Sequence, residues 1–136
     1  MEIPIYSNIR EDLELIETFL WDPEKGAPDI DLHLERMCKS AANLKFKFEI
    51  IKIKEKIFKI KSQSRLRCRL TLRFDGKINL ATAPLNPNSK TWILGLSESI
   101  LSSSDPWLLH KSSNRGLYDV ERANLPDGID ELVYLN

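Results

Sequence analysis

Leu66, Cys68, Leu70, Leu72 and Phe74 alternate with Arg65, Arg67, Arg69, Thr71 and Arg73, and Asp75-Gly76 follows at once. Strict period two sends the two sets of side chains to opposite faces of a pleated strand. Asp-Gly is a two-residue turn signal, because glycine tolerates positive φ. A hairpin is therefore expected, with residues 77–83 as the return strand and Pro84 and Pro87 closing it. The apolar face of such a hairpin must be covered by something else. The arginine ladder on the other face could meet an anionic ligand. A solvated face is the commoner account, since antiparallel sheets often leave one side to water.

The cover is supplied by helical patterns on the N-terminal side. Ile30, Leu34, Met37, Ala41 and Leu44 recur at helical spacing, which predicts a helix over 29–44 with one apolar stripe. Asp29 and Asp31 suit its cap and first turn, where free N–H groups favour a carboxylate. His33 and Arg36 lie on one side of the stripe, three residues apart, so they can act together. A second helix is expected over 49–61, its buried face marked by Ile50, Ile53, Ile57 and Ile60. Its β-branched residues also permit a strand. Its lysines read as a solvated face more readily than as an anion site.

Residues 13–21 form the first strand candidate, ended by a turn at Asp22-Pro23 and Gly26. Residues 91–97 suggest a further short strand. The Ser-rich stretch 97–105 breaks periodicity and reads as a linker. An apolar run, Trp107-Leu108-Leu109, then ends in His110-Lys111. A helix over 114–123, a turn at Pro126-Asp127-Gly128 and a strand over 131–135 complete the chain. The division expected is an N-terminal α+β domain over 1–98, a linker over 99–106 and the start of a second domain over 107–136.

Lys plus Arg and Asp plus Glu both number 20, so no global charge favours nucleic acid or an anionic membrane as partner. Cys38 and Cys68 have no CxxC spacing and read as two small buried thiols in a reducing compartment. No metal is expected. No apolar run reaches the ~18 residues that a membrane span needs, and no N-terminal stretch has the pattern of a signal peptide. A cytoplasmic location is the default expectation.

The sequence text adds a resemblance. Leu15-Ile16-Glu17-Thr18 with Trp21, His33-Leu34-Glu35-Arg36-Met37 with Ser40-Ala41, and Arg69-Leu70-Thr71-Leu72 with Asp75-Gly76 run in order. His110-Lys111-Ser112-Ser113-Asn114-Arg115 with Tyr118-Asp119, and Asp130-Glu131 with Leu135-Asn136, continue the series. This series resembles the class IV aminotransferase and aminodeoxychorismate lyase family of pyridoxal-phosphate enzymes, its lyase branch most of all. The resemblance implies the N-terminal domain of the D-amino acid aminotransferase-like fold: an antiparallel sheet flanked by two helices. It implies Lys111 as the Schiff-base lysine, Arg36 as a contact of the cofactor phosphate, and Tyr118 near the cofactor ring.

Both main roles make physical sense. A Schiff-base lysine must be partly desolvated so that its pKa falls, and an apolar strand over 107–109 is expected to provide that setting. A phosphate wants a fork of donors, which arginine supplies. Read from the residues alone, a surface position at the end of a strand is the better account of Lys111. Arg36 suits a helix surface, and His33 a helix-packing role.

The implied activity is removal of pyruvate from 4-amino-4-deoxychorismate, a step toward para-aminobenzoate and folate. Amino-group transfer on branched-chain or D-amino acids is the alternative, and a non-catalytic domain that binds a partner chain is another. The resemblance stops at Asn136, before the family's G-x-[IV]-T-E segment, whose glutamate pairs with the pyridine nitrogen. A fragment or the product of a split gene is the favoured expectation, with a self-sufficient small protein as the third. Weak cofactor binding and impaired turnover are expected. A small-molecule substrate and a homodimer, or a complementing C-terminal half, are the partners expected.

Overall fold

The computed structural model describes residues 12–86 and 91–136; Pro87 lies outside them. Its elements in order are β1 (Glu14–Trp21), α1 (Ile30–Leu44), α2 (Ile50–Phe58), β2 (Leu66–Arg73), β3 (Ile78–Pro84), β4 (Leu94–Ile100), α3 (Gly116–Ala123) and β5 (Glu131–Leu135). The fold is α+β.

The hairpin forms as its alternation requires. β2 pairs antiparallel with β3, Leu72 opposite Ile78 and Leu66 opposite Pro84. β2 is also the central strand of the sheet β1-β2-β3, because β1 pairs antiparallel with its other edge. The register places Leu15 opposite Leu72, Glu17 opposite Leu70 and Phe19 opposite Cys68. One face therefore gathers Leu15, Phe19, Cys68, Leu70 and Leu72, all buried. Each fully buried leucine contributes about 1.5–3 kcal/mol relative to exposure.

α1 covers this face with Leu34, Met37, Ala41 and Leu44, all buried, while Ile30 is only partly so. Asp29 precedes the helix without a side-chain capping bond, so of the two expected N-terminal carboxylates Asp31 alone sits in the first turn. Lys45 ends the helix at φ 64°, and Phe46 N–H donates to the Ala41 carbonyl at 2.9 Å. That turn drops Phe46 into the core edge-on to Phe74, with ring centroids 5.4 Å apart.

α2 is shorter than its pattern suggests. Ile53 and Ile57 are buried, but Ile50 is exposed and Ile60 lies past the helix end, half-buried. The helix runs only from Ile50 to Phe58, so Ile50 is its first residue and Ile60 falls beyond its end. The thiols also divide: Cys68 is buried, whereas Cys38 is exposed on the outer side of α1. Helical spacing puts position 38 one residue past the buried stripe, which corrects the expectation of two buried cysteines.

The C-terminal part departs most from its pattern. β4 runs to Ile100, through the first residues expected as linker, and pairs parallel with β5. Its serines bear on α3: Ser97 and Ser99 hydroxyls both donate to Glu121, at 2.7 and 3.3 Å. Residues 106–109 form a 3-10 turn instead of a strand, with Pro106 in its first turn and Asp105 accepting from Trp107 N–H. Proline has no N–H for a ladder and suits a helical first turn, which explains the change. Segment 111–113 then docks on the outer edge of β1: Ile16 N–H donates to the Lys111 carbonyl and Ser113 N–H to the Glu14 carbonyl, both at 2.9 Å. The lysine is tied to the main sheet by backbone.

Candidate functional site

The site begins with a carboxylate where the pattern calls for a leucine. Alternation along β1 turns Glu17 to the same face as Leu15 and Phe19, and its side chain is 1% exposed. A lone buried carboxylate costs several kcal/mol, which only close partners offset. α1 provides them. Arg36 Nε donates to Glu17 Oε1 at 2.6 Å, and Arg36 Nη2 to Oε2 at 2.6 Å. His33 Nδ1 completes the set at 2.7 Å from Oε2. An ionised carboxylate can only accept, so Nδ1 carries the proton in that bond. His33 and Arg36, three apart on the helix, do act together, and their common target is Glu17.

The rest of Arg36 reaches a cleft of ≈ 460 Å³. Its lining includes Arg36, Trp107, His110, Lys111 and Tyr118. All three residues singled out by the sequence, Arg36, Lys111 and Tyr118, thus border one cavity. His110 Nδ1 is hydrogen-bonded to the Ser40 hydroxyl at 2.8 Å, and Ser40 is buried on α1. The bond ties the chain just before Lys111 to the helix that carries Arg36. Burial pushes the His110 imidazole below the ordinary histidine value, which favours its neutral form.

Burial also pushes the Lys111 ammonium below the ordinary lysine range. Glu17 works against that shift, while Arg36, Arg115 and Arg67 reinforce it through like-charge repulsion. The depression therefore has two sources: a partly dry setting and a ring of guanidinium groups. The 3-10 turn at 106–109 supplies the apolar wall that an extended segment was expected to supply.

Lys111 borders a second cleft, of ≈ 510 Å³, on the arginine face of the sheet. Arg67, Arg69, Arg115, Arg122 and Thr18 line it, with Asp119. Arg115 pairs with Asp119 at 3.0 Å and Arg122 with Glu131 at 2.7 Å. Among the described residues, Arg67 and Arg69 have no acidic partner. Part of the arginine ladder thus borders a cleft that it shares with α3 and the lysine segment.

Sequence reasoning missed Glu17 and Ser40 as site residues. Each carried a signal: a charged residue at a core position of a strand, and a hydroxyl beside the apolar stripe of a helix. Among the described residues, no group of three or more His, Cys, Asp or Glu side chains is placed to hold a metal ion, and no helix is long and apolar enough to cross a membrane.

No family model and no curated protein matches the chain. Two solved structures do. The first is from Mesorhizobium loti and is described provisionally as an amino-acid aminotransferase. It shares 34% identity with a TM-score of 0.84, over 92% of this chain and 63% of that one. The second, from Haemophilus somnus 129PT, is described provisionally as a 4-amino-4-deoxychorismate lyase. It shares 22% identity with a TM-score of 0.60, over 91% of this chain and 63% of that one, and speaks to fold alone. The chain thus spans less than two thirds of either relative.

Proposed function

We propose that this chain, which has the fold of the N-terminal part of class IV aminotransferase-like proteins, forms the lysine side of a pyridoxal-phosphate site. The observation that carries the proposal is the shared cleft: a half-buried lysine with a depressed pKa and an arginine fork border one cavity. Its ≈ 460 Å³ lies within the range of roughly 300–1,000 Å³ usual for small-molecule sites. The residues fit the group. Lys111 offers an amine for covalent attachment, Arg36 keeps Nη1 for the phosphate, and Tyr118 borders the same space. Bound there, the cofactor would supply an electron sink for charge left at a substrate carbon.

The remaining chemistry belongs to the protein. Lys111 Nζ, neutral in a larger fraction than an ordinary lysine, is the base that would take a proton from the substrate carbon and deliver it to a different atom, the departing pyruvate fragment in the lyase reading. His110 and Ser40 hold the backbone that carries it. Arg67 and Arg69, on the other side of Lys111 and with no acidic partner among the described residues, would receive a carboxylate of the substrate. Trp107 and Leu108 keep water from the amine.

The lyase reading, release of pyruvate from 4-amino-4-deoxychorismate, rests on the motif text from Leu15 to Trp21 and from Lys111 to Tyr118. Amino-group transfer is the second reading, favoured by the higher identity and TM-score of the Mesorhizobium loti protein. The same proposal includes a partner, a complementing C-terminal half. Leu94, Leu96, Val133 and Leu135 of the β4-β5 pair are exposed and offer it an apolar surface.

Borohydride reduction with pyridoxal phosphate, followed by peptide mapping, tests the site: the adduct is expected on Lys111. An adduct spread over the surface lysines, with Lys111 unmodified, would sink the reading. Pyruvate release from aminodeoxychorismate against keto-acid-dependent amino transfer then separates the two activities.

A further inference from the structure

We propose that Glu17 is a positioning residue, whose buried carboxylate grips one edge of the Arg36 guanidinium so that the other edge is presented to an anion in the Lys111 cleft. The proposal rests on the reading of Arg36 as the phosphate contact. It goes beyond that reading because it assigns the orientation of the arginine to a residue outside the cleft lining.

The geometry is one-sided. Glu17 takes Nε and one N–H of Nη2, at 2.6 Å each. It makes no bond to Nη1. A guanidinium carries five N–H donors in a rigid plane, so an edge held by a carboxylate points the opposite edge away from it. Arg36 is half-exposed, at 49%, and its long side chain would otherwise sample many rotamers. Glu17 is itself locked: it is 1% exposed, and His33 Nδ1 holds Oε2 from the previous turn of α1. The His33 ring packs against Phe19, centroids 6.0 Å apart, which limits its own movement. A carboxylate at this strand position gives the core nothing that leucine would not give more cheaply. Its three short bonds account for its presence only through what they orient.

Glu17 also acts on Lys111 by charge. Glu17, Arg36, Arg115 and Arg67 are the charged groups that act on the amine, and Glu17 is the one that favours the ammonium. Removing its charge therefore has two separable effects. The anion contact at Arg36 loosens, and the lysine gives up its proton at lower pH.

The test uses the full chain with Glu17→Gln and Glu17→Asp. Affinities for pyridoxal phosphate and for pyridoxal, which lacks the phosphate, are measured by absorbance titration. Wild type is expected to prefer the phosphorylated form. In both variants that preference, a ratio in which any change at the shared amine cancels, falls on the order of tenfold, the scale typical of losing an outer-shell orienting partner. The pH profile of Lys111 acylation, read by mass spectrometry without cofactor, moves down in Glu17→Gln and stays near wild type in Glu17→Asp, which keeps the charge. If Glu17→Gln fails to fold, Glu17→Asp alone carries the affinity test. A wild-type preference that survives the substitutions would overturn the proposal and leave the reading of Arg36 standing. Equal wild-type affinity for the two forms would remove that reading, and the proposal with it.

Discussion

Ser40 on α1 and His110, the residue before Lys111, are joined by a 2.8 Å hydrogen bond across 70 positions of chain. The bond makes the placement of Lys111 a tertiary property of the helix that carries Arg36. It also carries a pH signature. Burial lowers the His110 pKa in the folded state, so the unfolded chain binds the proton more readily. The contribution is therefore fully present above about 6.5, the ordinary histidine value, and is lost as pH falls through the lower folded value. Urea midpoints measured from pH 7.5 down to pH 5.5 should fall, and His110→Asn should flatten the slope. Ser40→Ala should cost about 0.5–1.5 kcal/mol at neutral pH. An unchanged slope in His110→Asn would show that another group titrates.

The hairpin and the first helix are legible in the sequence because each rests on a local period, and the first strand because an apolar run ends there in a turn. Leu66 to Leu72 alternate without a break, and Leu34, Met37, Ala41 and Leu44 keep helical spacing. Such patterns report which side is buried, since burial itself produced them. The second half of the chain is harder to read. Ser97 and Ser99 look like linker residues because their role is to bond Glu121, more than twenty positions away. No local window contains that partner. The turn at Pro106 looks like a strand in the sequence because a short apolar run has no period of its own. The candidate site divides in the same way. Arg36, Lys111 and Tyr118 stand out in the motif text, whereas the bond from Glu17 to Arg36 exists only once β1 and α1 are packed.

Tyr134 on β5 offers a check on the less regular half. Burial comes first among the causes that push its phenol up to about 12, and the neighbouring Glu121 carboxylate adds to it. Tyr118 stacks edge-on against it at 5.0 Å. Absorbance titration in the near ultraviolet should show a late component that Tyr134→Phe removes and Glu121→Gln moves back toward about 10, the ordinary value. The sign of the linkage follows. A phenol that holds its proton more tightly when folded stabilises the fold below its unfolded pKa, near 10, and that share is lost as pH rises through about 12. A titration in which every tyrosine ionises with a midpoint of about 10 would mean that β4, β5 and α3 do not pack as described.

Two glycines test the frame that presents the site. Gly76 closes the β2-β3 hairpin at φ 90°, and a Cβ there would meet the Lys47 side chain at 3.1 Å. Both the left-handed backbone and the crowding oppose a side chain, so Gly76→Ala should destabilise by roughly 1–3 kcal/mol. Gly116 begins α3 beside the lysine cleft, where an added methyl group would meet nothing within 4 Å and φ is not positive. Gly116→Ala should therefore be neutral or gain up to about 1 kcal/mol, because alanine loses less backbone freedom on entering a helix. Chemical denaturation of the two variants should move the midpoints in opposite directions or leave Gly116→Ala unmoved. A loss in Gly116→Ala as large as that in Gly76→Ala would place the start of α3 in a different conformation, and with it the wall of the cleft that Lys111 and Tyr118 share.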